Sequence, residues 1–375
     1  MPEPTNPSGY CDLLVIGAGI QGAAVALAAV RRGLRVQLVE QYAEPACATS
    51  SRSSKLIHGG LRYLETGQFA LVRECLAAQR RLLRERPQLV QLKPFLIPVY
   101  ETTRRPPWKI GAGLALYRLL GGHPFETVPR RDWSRLDGLK THGLRRVYRY
   151  YDAQTDDRAL TRALIEDARR EGLICHFDTR LRTGRLTTNT CELVCDGPAG
   201  PLEVQGRALV NAAGPWVNQV LECLVPRPPG LDIEWVQGSH IRLPGRLEQG
   251  IYYVEAPQDG RAVFVMPWQG DILIGTTETA FRGDPARVRP LPDECRYLLE
   301  VYEYYFGRGL GEADILQAFA GLRVLPAGNG TAFSRPRDTR IHRHPTAPRV
   351  ISVYGGKLTT HASTARKVLD CLSLD

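Results

Sequence analysis

The chain has 375 residues, 43% of them hydrophobic, enough for a substantial core and for two domains. Its net charge of +10 rests on 49 basic residues, of which only six, at positions 55, 93, 109, 140, 357 and 367, are lysine. The arginines are scattered, with no run and no interleaved aromatic stripe, which speaks against nucleic acid and leaves anionic substrates or lipid headgroups.

The opening MPEPTNPSGY shows no basic-then-apolar leader, and no window approaches a membrane span, so a cytosolic or cytosol-facing protein is expected. Residues 12–40, DLLVIGAGIQGAAVALAAVRRGLRVQLVE, are the unit around which the chain is organised. They read as an apolar strand, a Gly17-x-Gly19-x-x-Gly22 turn, an alanine-rich helix closed by Gly33, and a second strand ending on Glu40. Gly17 permits the tight turn, Gly19 leaves bare backbone for a pyrophosphate, and Gly22 lets helix and strand pack closely. The helix N-terminus offers N–H groups and a positive dipole end to that diphosphate. Glu40 stands 18 residues beyond Gly22, where a carboxylate can accept both ribose hydroxyls. An acid there argues against a 2′-phosphate and so against NADP, but the motif does not separate NAD from FAD.

Residues 41–67 form a polar, glycine-rich loop of a length that is usually functional. Ser50, Ser51, Ser53, Ser54, Lys55 and His58 are donors suited to phosphate and ribityl oxygens, and Gly59 and Gly60 allow close approach to a flat ring. Within it, ATSSRSSKLIHGGLRYLE (residues 48–65) resembles the signature of the FAD-dependent glycerol-3-phosphate dehydrogenases. These belong to the wider group of flavin oxidoreductases shaped like D-amino-acid oxidase. The resemblance, not the spacing, selects FAD. It implies an α/β protein with a Rossmann-type FAD-binding domain and a second domain, a mostly antiparallel β-sheet plus helices, for substrate. It also implies peripheral membrane attachment and transfer of electrons to quinone.

A helix is expected at residues 68–86, a strand at 95–100 and a second helix at 106–120, apolar around most of its circumference. The packed form of that helix is preferred over an interfacial membrane anchor. A strand at 146–151 leads to a helix capped by Thr155 or Asp156, then to a strand at 173–177 and short β segments in which Cys191 and Cys195 lack the partners of a zinc site. The nine cysteines, with no CxxC pair, read mostly as small buried hydrophobes in a reducing compartment. ALVNAAGPWVN (residues 208–218) is an apolar strand running into a small-residue turn, which makes Gly214 a cofactor candidate. Strands at 233–243, 250–255, 262–267 and 272–276 and a helix at 292–306 come next, then a strand at 349–354 and GGKLTT, which opens a last helix. A glycine pair before a helix presents N–H groups to the flavin's pyrimidine end, with Gly356, Leu358 and Thr359 as the contacts. The FAD-binding domain is therefore assigned to residues 1–92, 150–225 and 331–375, and the substrate domain to 93–149 and 226–330.

Oxidising a secondary alcohol on a flavin needs the carbon held over the acceptor, a base for the hydroxyl proton, and cations for the substrate's anionic end. The resemblance places Arg62, Tyr63, Arg337 and Lys357 around the phosphate of sn-glycerol 3-phosphate, with His240 and Arg323 near the reacting hydroxyl. His240 is also the base chosen on chemistry alone, because imidazole titrates near neutrality. In so arginine-rich a chain, Lys55 and Lys357 read as positions that call for a compact ammonium. GSH (residues 238–240) and IGTTE (residues 274–278) match the family pattern as well. Three departures stand out: Val324 where the family has proline, His361-Ala362 where it has Tyr-Arg, and an end without the C-terminal helical domain. The expected reaction is oxidation of glycerol 3-phosphate to dihydroxyacetone phosphate, with electrons going to quinone or another acceptor. Alternatives are another small anionic 2-hydroxy acid or amine, or a non-catalytic flavin-binding subunit.

Overall fold

The structure, a computed structural model, describes residues 10–327 and 339–372. Its first half is built on β1 (Tyr10–Ile16), helix α1 (Ile20–Val30), β2 (Val36–Val39), α2 (Phe69–Glu85), β3 (Val90–Tyr100), α3 (Pro107–Leu119), β4 (Leu144–Thr155), α4 (Asp157–Arg170), β5 (Ile174–His176) and β6 (Gly200–Asn211). The second half adds β7 (Ile233–Leu243), β8 (Ile251–Glu255), β9 (Ala262–Trp268), β10 (Asp271–Gly275), α5 (Pro292–Phe306), β11 (Gln317–Pro326), β12 (Ala347–Tyr354) and α6 (His361–Asp370).

β1 and β2 are buried along nearly their whole length, as strands at the centre of a parallel sheet must be. They sit in a nine-stranded sheet whose parallel heart runs β5-β2-β1-β6-β12. This order brings the carboxyl ends of β1, β2 and β6 side by side, Ile16 facing Val39 and Asn211, where such sheets open a ligand crevice. Helix α1 starts directly after β1 and is buried at ten of its eleven residues. Its alanines let α4 and α6 close upon it in one apolar cluster. A Cβ on Gly22 would stand 1.9 Å from the Gly17 carbonyl oxygen, so the tight crossing of strand and helix requires glycine there.

The second sheet has ten strands, among them the run β11-β7-β10-β9-β8-β3-β4, antiparallel throughout except where β8 lies parallel to β3. α5 covers one face through Leu298, Val301, Tyr302 and Phe306. In the centre β7 pairs on one side with β11 and on the other with β10, so His240 stands between Phe319 and Gly275.

The loop after Glu40 carries two short 3₁₀ turns and a two-residue strand, Leu56–Ile57, paired with β4. Asp156 caps α4, its Oδ1 accepting from the Ala159 N–H at 2.9 Å. Two expectations are corrected. α3, expected as a packed helix, packs along a single stripe only: Leu114 and Tyr117 are buried, whereas Trp108 is 72% exposed. Only four of the nine cysteines are buried (Cys11, Cys75, Cys191 and Cys195), and all nine are free thiols. Burial pushes the thiols of Cys11 and Cys191 up to about 12, which leaves them inert.

Candidate active site

Between the sheets lies a cavity of about 450 Å³. One wall is the β1–α1 turn with Gly17 and Gly19, Glu40 at the end of β2, and Gly214 after β6. Gly17 has φ +101°, and a Cβ there would meet the Ala212 carbonyl oxygen at 2.7 Å, so the crossing of two parallel strands leaves room only for hydrogen. Glu40 is buried, its Oε2 accepting from Ala18 N–H at 2.6 Å and its Oε1 from Tyr42 N–H at 3.0 Å. Burial raises its pKa against the pull of those bonds. The carboxylate is thus held rigidly at the strand end, facing the cavity. Ser50 Oγ accepts from the Ile20 N–H at 2.9 Å, which sets a hydroxyl at the mouth of the α1 N-terminus.

Against the first turn of α1, Gly355 to Thr359 run along the cavity ahead of α6. Gly356 has φ +122°, and a Cβ on it would meet Gln21 Nε2 at 2.5 Å. Gln21 also donates to the Lys357 carbonyl at 3.3 Å, tying this turn to α1. Two bare-backbone cradles, a helix N-terminus and a fixed acid together fit a dinucleotide such as FAD.

The second sheet supplies a different chemistry. His240 is buried, with Nε2 3.0 Å from Ser54 Oγ and its ring stacked on Phe319 at 5.0 Å. Its Nδ1 is buried and has no hydrogen-bond partner among the described residues. Burial, then the nearby Arg323 and Lys55 charges, hold the imidazole pKa well below 6.5. The ring is therefore neutral at neutral pH, the state a proton acceptor must start from. Gly275 makes room for it, since a Cβ there would meet His240 Cδ2 at 2.0 Å.

Arg323 is half-buried beside it, its side chain 26% exposed, donating to Thr276 Oγ1 at 3.2 Å and to Glu278 Oε1 at 3.3 Å. Burial first, and then the neighbouring Arg62 and Arg261, bring its pKa down to about 10. Lys357 Nζ lies 4.2 Å from the centre of the Tyr63 ring. Arg62, Tyr63, Arg261, Arg323 and Lys357 all line the cavity, so four cations converge on the space next to a neutral imidazole.

Most residues singled out in the sequence reach this cavity: Gly17, Gly19, Glu40, Ser50, Ser54, His58, Gly214, Gly356, Leu358 and Thr359 join Arg62, Tyr63, His240, Arg323 and Lys357. Four do not. Gly22 packs beneath the β1–α1 turn, and Gly59 sits under Leu76 and Tyr117. Ser51 turns inward, its hydroxyl donating to the Ala48 carbonyl at 3.1 Å and its carbonyl accepting from Lys55. Lys55 points away from the cavity, its Nζ 2.6 Å from Asp157 Oδ1 in a pair with side chains 7% and 0% exposed. The ammonium is neutralised by the protein itself. Arg337 lies outside the described residues. The reading of the sequence passed over Arg52, Asp152, Tyr253, Arg261, Thr276 and Glu278, which also line the cavity. For Thr276 and Glu278 the signal was present, in the IGTTE motif, without an assigned role. Among the described residues, no cluster of ligands suits a metal ion.

Comparison with known proteins agrees with this geometry. The profile of a family described as "FAD dependent oxidoreductase" matches residues 12–370. A glycerol-3-phosphate dehydrogenase of Pseudomonas aeruginosa is 39% identical over 366 residues, 96% of this chain and 70% of that protein. A D-erythritol 1-phosphate dehydrogenase of Brucella abortus is 34% identical, with 98% of this chain and 74% of that protein covered. The crystal structure of a glycerol-3-phosphate dehydrogenase from Bacillus halodurans, complexed with FAD, superposes with a TM-score of 0.77 at 25% identity. It matches 97% of this chain, which spans 64% of that one. The two glycine cradles, the buried acid and the matched residues lead to one conclusion: the chain belongs to the FAD-dependent oxidoreductase family, and FAD is its cofactor.

Proposed function

We propose that the protein oxidises sn-glycerol 3-phosphate to dihydroxyacetone phosphate, with FAD as hydride acceptor and quinone or another acceptor downstream. The observation that carries this reading is the meeting of Arg62, Arg261, Arg323 and Lys357 with neutral His240 in one cavity. With Glu278 offsetting Arg323, the Arg62, Arg261 and Lys357 side chains still leave this part of the lining positive, which matches a phosphate dianion better than a single carboxylate, and guanidinium forks suit its oxygens. Bound FAD supplies the acceptor for the hydride that leaves C2. The residues that would hold it are Gly17, Gly19, Glu40, Ser50, Gly214 and Gly356 to Thr359, in the first sheet's half of the molecule. His240 takes the hydroxyl proton as the ketone forms, and Ser54 orients the imidazole through Nε2. Arg323, anchored by Thr276 and Glu278, steadies the oxygen as it becomes negative.

Anaerobic titration of the FAD-loaded protein with sn-glycerol 3-phosphate tests this directly, and bleaching of the flavin absorbance is the expected result. A flavin that stays oxidised with glycerol 3-phosphate but bleaches with erythritol 1-phosphate would move the activity to a longer polyol phosphate. The similarity to the Brucella abortus enzyme makes that the second reading. Bleaching only by a 2-hydroxy acid or amine would reject both.

α3 supports peripheral membrane contact. Trp108, Ala112, Ala115 and Leu119 recur at one helical face and are all exposed, with Lys109 and Arg118 beside them. No helix of the described residues is long and apolar enough to cross a membrane. Co-sedimentation with anionic vesicles should fall on Trp108→Ala, and unchanged binding would reject this surface.

A further inference from the structure

Along two neighbouring segments, side chains alternate between the cavity and the opposite side, as strand geometry dictates. On β7, Gly238 and His240 line the cavity, whereas Gln237 and Ser239 point away from it. After β10, Thr276 and Glu278 line the cavity and hold Arg323, whereas Thr277 and Thr279 point back. All four back-facing side chains end on one carboxylate, that of Glu294 in the first turn of α5.

Glu294 Oε2 accepts from Ser239 Oγ at 2.6 Å, from Gln237 Nε2 at 2.5 Å and from Leu291 N–H at 3.1 Å. Its Oε1 accepts from Thr277 Oγ1 and from Thr279 Oγ1, each at 2.7 Å. Thr277 Oγ1 in turn accepts from the Ser239 N–H at 2.9 Å, so the two segments are locked to each other as well as to the carboxylate. Glu294 is buried and does not line the cavity. A helix cap needs only the bond from Leu291 N–H. Side-chain donors arriving from two other segments go beyond capping.

We propose that Glu294 is a positioning residue: it fixes β7 against the 276–279 segment and thereby sets His240 against Arg323. Its activity test rests on the function proposed above; a second readout does not. Glu294→Gln keeps the shape but puts an NH₂ where one oxygen accepted, and an amide cannot satisfy donors at both ends. The FAD-loaded variant is expected to keep its flavin content and absorbance. Its rate of flavin reduction by saturating sn-glycerol 3-phosphate should fall about 10²-fold, the effect of a roughly 1 Å misplacement of reacting groups. Thr277→Val removes the hydroxyl that donates to Glu294 and accepts from the Ser239 N–H, without touching the start of α5, and should lower the same rate several-fold. It also carries the test if Glu294→Gln does not fold.

The independent readout is the imidazole titration of His240, followed by NMR in wild type and variant. Release of Arg323 should move the His240 pKa upward in Glu294→Gln. A residue that merely caps α5 would lower thermal stability and leave both the titration and the rate unchanged, and that result overturns the proposal. If glycerol 3-phosphate does not reduce even the wild-type flavin, the functional reading fails, and the His240 titration still decides the role of Glu294.

Discussion

Replacing Lys55 by methionine separates a structural lysine from a cofactor ligand. In the fold its Nζ donates to Asp157 Oδ1 and to the Ser51 carbonyl, each at 2.6 Å, and lies 5.2 Å from the Phe319 ring centre. Methionine preserves the stem and leaves the Asp157 carboxylate buried without its counter-charge. Breaking one side of such a pair costs about 3–5 kcal/mol. Asp157 keeps bonds from Ser53 N–H at 2.9 Å, Ser53 Oγ at 2.6 Å and Arg158 N–H at 2.9 Å, which places the expected loss near the lower end. Urea unfolding of the apoprotein should register that loss, and adding Asp157→Asn should restore much of it, since the asparagine is neutral and still accepts from Ser53. FAD affinity of the folded Lys55→Met protein should change by less than about threefold, because the ammonium does not face the cavity. Unchanged unfolding combined with a tenfold or greater loss of FAD would refute this reasoning and return Lys55 to the cofactor.

His344 is fully buried between the Pro229 carbonyl and Ser352 Oγ, and burial, aided by His342, brings its pKa down to about 4. A depressed histidine pKa stabilises the fold above the unfolded value of about 6.5, and that share is lost as pH falls from there to about 4. Near 1.4 kcal/mol per pH unit, roughly 3 kcal/mol should disappear, and His344→Gln should flatten that part of the stability profile. Because the His240 pKa also lies well below 6.5, kcat/KM for glycerol 3-phosphate should show no acidic limb near pH 6.5. A limb at that pH, abolished in His240→Asn, would show that the imidazole is not held neutral. His240→Asn itself should lower kcat by about 10²–10⁴-fold with FAD retained. Gly22→Ala forces a methyl to within 1.9 Å of the Gly17 carbonyl oxygen, and the displaced turn should weaken FAD binding roughly ten- to hundredfold. Isothermal titration of the refolded apoprotein would measure it.

What was legible in the sequence is what local geometry decides. The β1–α1–β2 unit could be read outright, because Gly17, Gly22 and Gly33 mark a tight turn, a close crossing and a helix end within a span of 17 residues. The same holds for the glycines before α6. Lys55 was misplaced because the sequence does not say which side of a loop faces the ligand, and its partner lies 102 residues further on. Arg261 escaped because an arginine in a chain with 49 basic residues reads as solvated, and only the pairing of β8, β9 and β10 turns it toward Arg323. Glu294 was hidden more deeply. Its five donors come from its own helix start and from two segments 15 or more residues away, and each is an ordinary polar residue alone. Alternation along β7 sends Ser239 one way and His240 the other, so the sequence can name the reactive histidine from chemistry. Only the folded sheet shows what holds it still.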